Sequence, residues 1–283
     1  MKNILVPLTG YPNDASALAA AYLVARRFKG RIEALSVHPD PMQIVTVAAV
    51  QQFAGKPHSA EAIHALEKTA DVASAAAFAA FDEFLKRLSP EDAVEASLRQ
   101  IQGEPVRDTA AAARFSDLTV LGRAAEGAQF TLDAVANILV ACGRPVLVVP
   151  EAPLAALGST IAIAWKETAE AARAVTAAMP FLERAKRIAV LSAPESEDEA
   201  PACAASAERL ADGLRQYGVK VDSPIMPPGG ADAADTLLKA AHDTGSDLLV
   251  MGAYGHGRLR ELVFGGFTRQ VLQTSSLPVL MLH

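Results

Sequence analysis

The residues with the clearest chemical potential are glycines near the C-terminus that follow a short apolar run. Two residues separate Gly252 from Gly255, nine more precede Gly265, and Gly266 and Thr268 come directly afterwards. The apolar run predicts a buried strand, and the residues after the glycines predict a helix. A strand, a glycine loop and a helix can together present backbone N–H groups to phosphate oxygens. The pattern indicates an anion-binding loop, although glycines that only permit tight turns would give the same spacing.

Strands and helices are predicted to alternate along the whole chain around this loop. Strands are expected at residues 3–8, 31–37, 94–102, 118–121, 145–149, 160–165, 187–191, 219–225, 248–251 and 278–282. Helices are expected between them, including a long one over residues 59–88, with Asp14 as the N-cap of the first. This alternation favours an α/β fold with a parallel sheet covered on both faces. Ligands bind such sheets beyond the carboxyl ends of the strands, where Gly252 is expected.

The second half of the sequence repeats the first. Residues 116–122 align with residues 246–252, and residues 145–147 align with residues 278–280. The offset between the copies falls from 157 residues at the first strand to 130 at the fourth, so the first copy carries about 27 additional residues. They lie at about 39–88, where a lid, an interaction face or simple loop-and-helix packing would each explain them.

The repeat predicts two homologous domains. The first covers residues 1–150, the second covers residues 159–283, and residues 151–158 are the expected linker.

These features resemble the universal stress protein family in its tandem two-domain form. The resemblance rests on Gly252-x2-Gly255-x9-Gly265, on Thr268 and on the closing Leu277-Pro278-Val279-Leu280, and it is strongest in the second half. It implies two tandem open five-stranded parallel sheets of strand order 3-2-1-4-5, with helices on both faces. The last strand mediates dimers in single-domain members, so the resemblance implies that residues 145–149 and 278–282 pair across the two domains. That pairing favours a monomer with an internal pseudo-dimer, and a homodimer is the alternative. Some members bind ATP or AMP through this motif, with adenine near the ends of the first two strands, whereas others bind no nucleotide.

The resemblance places a nucleotide site in the second domain. The residues it assigns to that site are Trp165, Lys166, Val190, Met251, Gly252, Gly255, Gly265, Gly266, Phe267 and Thr268. Bound ATP would bring Mg²⁺ with it. No residue is assigned a catalytic or metal-ligating role.

Three features depart from the family pattern. Gly266 stands where Ser or Thr is usual, so one hydroxyl is lost unless Thr268 supplies it. Lys166 follows the first strand of the second domain, where nucleotide-binding members usually have Asp, and the neighbouring Trp165 could stack on a base or simply pack. In the first half, residues 122–125 lack the second glycine, so the first domain is expected to have lost phosphate binding by this route.

Composition narrows the possible partners. The net charge is −6 and the pI about 5.6, without a cluster of Lys and Arg, which argues against nucleic acid and anionic membranes. No run approaches the roughly 18 apolar residues of a membrane span. Cys142 and Cys203 lack metal-ligand spacing and are predicted to be unpaired thiols. The expectation is a cytoplasmic protein.

Three functions follow from the sequence. The first is a stress-response binding or regulatory protein whose second domain binds ATP or AMP. The second is an interaction or scaffold protein of the same family that binds no nucleotide, in which the pocket is vestigial or takes another small apolar or anionic ligand; an unknown protein partner is the possible target of such a protein. The third is a slow ATPase, which would need a water-positioning carboxylate or a metal that the sequence does not identify.

Overall fold

The computed structural model describes residues 1–40, 60–89, 91, 94–123, 131–228, 233–253 and 265–283 of the chain. The first half contains β1 (Asn3–Leu8), α1 (Asn13–Phe28), β2 (Arg31–Pro39), α2 (Ala60–Arg87), β3 (Glu95–Gly103), α3 (Pro105–Ala113), β4 (Leu118–Gly122), α4 (Leu132–Cys142) and β5 (Val146–Val149). The second half contains β6 (Thr160–Ala164), α5 (Ala169–Leu182), β7 (Arg187–Leu191), α6 (Ala200–Arg215), β8 (Val221–Asp222), α7 (Ala233–Asp243), β9 (Leu248–Gly252), α8 (Gly266–Thr274) and β10 (Val279–Leu282).

The strands of both halves form one continuous sheet. Its order is β3-β2-β1-β4-β5-β10-β9-β6-β7-β8, so each half has the expected order 3-2-1-4-5. The neighbours within each half are parallel. The last strands, β5 and β10, pair antiparallel, with Leu147 opposite Leu280. The pairing expected between the last strands is confirmed, and the two five-stranded sheets are therefore halves of one ten-stranded sheet.

Helices cover both faces of this sheet because its strands are apolar on both sides. On one face, Ile4 and Val6 belong to a buried cluster with residues of α1, α2, α5 and α6. On the other, Leu5 belongs to a cluster with residues of α3, α4, α7 and α8. Strands covered in this way read as continuous apolar runs, which is why the sequence predicts them. None of the helices in the described ranges combines the length and apolarity needed to span a bilayer.

Two elements differ from the sequence predictions. Asp14 is not an N-cap, because α1 already begins at Asn13. The Asp14 carboxylate instead accepts hydrogen bonds from the backbone N–H groups of Thr9 at 3.0 Å and Gly10 at 2.7 Å. Burial raises the pKa of Asp14, and these hydrogen bonds oppose the shift. Strand β8 spans two residues, Val221–Asp222, rather than the predicted seven at 219–225, and Pro224, which has no N–H group to donate to a ladder, lies just beyond its end.

The two halves also meet through α1 and α5. The rings of Phe28 and Phe181 lie edge to face, with centroids 4.8 Å apart. The Arg184 guanidinium lies 5.1 Å from the centre of the Phe28 ring. Arg27 donates hydrogen bonds to the carbonyl oxygens of Gly158 and Arg184, at 2.9 and 2.7 Å. The halves are therefore joined by helix packing as well as by the sheet.

Candidate functional site

A cavity of about 560 Å³ lies at the carboxyl ends of β6 and β9. These strands are neighbours at the point where the strand order of the second half reverses, which is where open parallel sheets bind ligands. The start of α8 and the start of α5 close two of its sides. The cavity is lined by eight of the predicted site residues: Trp165, Lys166, Met251, Gly252, Gly265, Gly266, Phe267 and Thr268.

The other two predicted site residues are not part of the described cavity. Val190 is fully buried on the opposite face of the sheet, in the cluster that includes Ile188 and residues of α5 and α6. The chain after β7 reaches the cavity through Ala193 and Glu195 instead. The structure therefore does not bring Val190 to the cavity. Gly255 lies outside the described residues, and its role stays a prediction.

Gly252 is required by the packing of the fold. A Cβ atom at this position would lie 2.5 Å from the backbone nitrogen of Ala171 and 2.7 Å from the carbonyl carbon of Glu170, both in the first turn of α5. Gly122 occupies the same place in the first half, where a Cβ would collide with the backbone of Asn13 in α1. Both halves thus need glycine where the fourth strand passes the first helix. A substitution of Gly252 would test the fold rather than ligand binding.

Gly265 and Gly266, by contrast, leave open space in front of α8. A Cβ at either position would meet no atom of the described residues within 4 Å. The φ angle of Gly265 is −59°, a value that any residue adopts, so its backbone does not require glycine. Gly265 is the N-cap of α8 and provides no side chain to bond the N–H groups of the first turn. Among the described residues no side chain caps these N–H groups, which lie with the positive end of the helix dipole at the cavity.

The corresponding helix of the first half is built differently at its start. The Thr131 hydroxyl accepts a hydrogen bond from the Ala134 N–H at 3.3 Å, which caps α4 internally. Leu132 and Asp133 stand where α8 has its two glycines. This alignment matches the buried residues Val135, Ile138 and Leu139 of α4 with Thr268, Val271 and Leu272 of α8. The aspartate charge and the internal cap both disfavour an anion at α4.

Helix α2 packs over the ends of β1 and β2 in the first half. A cavity of about 40 Å³ lies beneath it. A Cβ at Gly10, in the turn after β1, would collide with the backbone of Ala73 in α2. His38 at the end of β2 lies 3.0 Å from the Asp71 carboxylate of the same helix. The described part of the predicted insertion is thus a helix packed on the strand ends, and residues 41–59 lie outside the described ranges.

The charged side chains in the described cavity wall are paired within the protein. Lys166 Nζ lies 3.2 Å from Glu195 Oε1, and both side chains are exposed. Glu170 lies 3.0 Å from Arg173 in the next turn of α5. An exposed ion pair contributes little to stability. Because Glu195 offsets the charge of Lys166, Lys166 gives an anion only modest attraction. Within the described ranges, no group of three or more His, Cys, Asp or Glu side chains is placed to hold a metal ion.

A hydrogen-bonded network lies behind Trp165, which lines the cavity and also packs against the core. The Trp165 indole N–H donates to Ser206 Oγ at 3.0 Å, and the Ser206 hydroxyl donates to Glu167 Oε2 at 2.6 Å. Arg209 Nη2 donates to the same carboxylate oxygen at 2.8 Å. The hydrogen bond from Ser206 and the charge of Arg209 lower the pKa of Glu167. Sequence reasoning missed Ser206 and Arg209, because they join the site only through the packing of α6.

Comparison with known proteins gives a family match and a fold match. The universal stress protein family model matches residues 159–283. A universal stress protein of Synechocystis sp. is 39% identical over 67 residues, which cover 24% of this chain and 22% of that protein. A universal stress protein of Methanocaldococcus jannaschii is 35% identical over 74 residues, which cover 26% of this chain and 44% of that protein. The aligned regions thus span less than half of either curated relative.

The fold of the chain is found in a solved structure over nearly its whole length. The crystal structure of a universal stress protein from Archaeoglobus fulgidus superposes with a TM-score of 0.70, covering 99% of this chain and 95% of the other. Its sequence identity to this chain is 17%, so the similarity concerns the fold.

Proposed function

We propose that the second half binds an adenine nucleotide, AMP or ATP, because residues 159–283 match the universal stress protein family model. The protein would then act as a stress-response regulatory protein that binds its ligand without a dedicated catalytic reaction. The observation that carries the proposal is the 560 Å³ cavity between the ends of β6 and β9 and the open start of α8. Among the described residues of the first half, the start of α4 is capped by Thr131 and carries Asp133, which disfavours a second site of this kind.

The phosphate lies at the start of α8 in this proposal. The backbone N–H groups of Gly266, Phe267 and Thr268 precede the first backbone hydrogen bond of the helix, from Arg269 to Gly265 at 2.9 Å. Such N–H groups bind anions well, because they lack intrahelical partners and lie at the positive end of the helix dipole. Thr268 lines the cavity and carries the hydroxyl that Gly266 lacks.

The nucleoside lies along the ends of β6 and β9. The wall there is apolar and includes Ala193, Leu237, Met251 and Phe267, a surface suited to a flat purine ring. Glu170 lies in the same wall with its side chain only 13% exposed. We assign Glu170 the acceptor role toward the ribose hydroxyls that the family usually gives to an Asp after the first strand. Mg²⁺ would accompany ATP through the phosphate oxygens.

Gly266→Ser is expected to tighten AMP binding about tenfold. A hydrogen bond from the serine hydroxyl to the charged phosphate would stabilise the complex by roughly 1.5–3 kcal/mol, and the cost of ordering the side chain reduces that gain. Space for the side chain exists, since a Cβ at Gly266 meets no described atom within 4 Å. Calorimetric titration of the wild type and the variant with AMP and ATP measures the effect. Gly213→Ser on the exposed surface of α6 is the matched control.

These titrations also separate the proposal from its main alternative. Binding by the wild type, tightened in Gly266→Ser and unchanged in Gly213→Ser, supports a phosphate at the start of α8. Equal affinity of all three proteins would place the phosphate elsewhere. A wild type that binds neither AMP nor ATP would favour the scaffold function without nucleotide.

A further inference from the structure

The network behind Trp165 connects two separate parts of the second half. Trp165 and Glu167 lie in the segment after β6, whereas Ser206 and Arg209 lie in α6. Ser206 is central to the connection, because its hydroxyl accepts from the Trp165 indole and donates to the Glu167 carboxylate. The indole is therefore held by a directed hydrogen bond in addition to its packing.

The first half builds the same strand-and-helix unit without any of these four groups. Aligning β1 with β6 places Leu8 at the position of Trp165 and Gly10 at the position of Glu167. Aligning the buried residues of α2 with those of α6 places Ala76 at the position of Ser206 and Ala79 at the position of Arg209. This second alignment matches Ala77, Phe81 and Phe84 of α2 with Ala207, Ala211 and Leu214 of α6. The fold itself therefore does not need the network, which occurs only beside the open cavity.

The network fixes the orientation of the Trp165 ring more than it stabilises the fold. Glu167 and Arg209 are exposed by 66% and 69%, and exposed ion pairs of this kind contribute little to folding. Ser206, by contrast, is 7% exposed, so its hydroxyl is fixed between two defined partners. An indole N–H that is partly buried needs such an acceptor. The combination fixes the Trp165 ring, which also lines the cavity.

We propose that Ser206, Glu167 and Arg209 are positioning residues that hold the Trp165 indole as a fixed wall against which the flat aromatic ring of the ligand stacks. This inference rests on the proposed nucleotide site and names the residue that recognises the base. Stacking on an aromatic side chain is tolerant of the base, so the contact selects for a planar ring rather than for adenine alone. The selection for a planar ring would then depend on Trp165, after β6, and on the residues of α6 that hold its indole.

The test uses the fluorescence of Trp165, the only tryptophan in the chain. In the full-length protein, Ser206→Ala removes the acceptor of the indole and installs the residue that the first half carries. We expect stronger acrylamide quenching of Trp165 without ligand, and AMP affinity weakened about tenfold, since stacking of a base contributes that much or more. Glu167→Ala, at an exposed position, is expected to weaken binding in the same direction. The thermal midpoints should stay close to that of the wild type.

Thr176→Ala is the matched control, because it removes an exposed hydroxyl from α5 outside the cavity wall. AMP should quench Trp165 emission in the wild type and in this control alike. Unchanged acrylamide quenching and unchanged AMP affinity in Ser206→Ala and Glu167→Ala would overturn the inference. A wild type that does not bind AMP would refute the nucleotide site and the stacking with it. Altered acrylamide quenching in the variants would then still show that the network positions the ring.

Discussion

Replacing Gly265 with leucine should abolish the binding of AMP and ATP while leaving the second half folded. The leucine side chain would extend into the open space in front of α8 and exclude the phosphate from the N–H groups there. Each hydrogen bond to a charged group contributes roughly 1.5–3 kcal/mol, so the loss of two should weaken binding at least about a hundredfold. Calorimetric titration measures the loss, and circular dichroism with a thermal melt measures the fold.

The chain itself indicates that leucine is compatible with the fold at this place. In the first half, Leu132 occupies the position equivalent to Gly265, and α4 still forms there. The φ angle of Gly265 is also within the range of ordinary residues. Gly213→Leu is the matched control, because Gly213 lies on the exposed surface of α6 with open space around it. Wild-type affinity in Gly265→Leu would contradict a phosphate site at α8, whereas weaker binding in Gly213→Leu would indicate a non-specific effect of the leucine.

Phe181→Ala should be the most destabilising single substitution considered for this chain, at about 3–5 kcal/mol in the free energy of unfolding. Phe181 is fully buried at the boundary between the halves, and its ring packs edge to face against Phe28. The space left by the ring would be hard to refill, because Phe28 is itself held by Arg184 and by the end of α1. Equilibrium unfolding in urea, followed by far-ultraviolet circular dichroism, gives the loss.

Phe78→Ala provides the comparison for that substitution. Phe78 lies on α2 with 42% of its surface exposed, so its removal should change the free energy of unfolding by only about 1 kcal/mol or less. Equal losses for the two phenylalanines would contradict the view that α1 and α5 hold the halves together. A two-step unfolding curve in Phe181→Ala alone would show that the packing at Phe181 couples the two halves.

The fold could be predicted from the sequence because its strands are covered on both sides. A parallel strand buried in this way reads as an unbroken apolar run, and the alternation with helices then restricts the topology. The prediction was less accurate where local signals compete. Asp14 has the residue type of a helix cap, but its carboxylate binds the turn that precedes the helix. At the sheet edge, the short β8 ends before Pro224, since few neighbours there compensate for a missing N–H group.

The candidate site was harder to predict because its residues depend on tertiary packing. The sequence does not reveal that Gly252 packs against the backbone of α5, whereas a side chain at Gly265 would meet no described atom within 4 Å. Val190 is buried on the face of the sheet opposite the cavity, and a shift of a single residue along a strand changes the face. Ser206 lies 41 residues after Trp165, and no local pattern connects the two.

Native mass spectrometry of the full chain mixed with AMP or ATP tests the central claim most directly, because it counts ligands on each protein molecule. The predicted spectrum shows one nucleotide bound to each wild-type chain and none bound to Gly265→Leu. A single adduct is expected because the open start of α8 lies in the second half, whereas the equivalent α4 of the first half is capped by Thr131 and carries Asp133 in its first turn. A wild-type chain that carries no nucleotide, or two, would contradict the account.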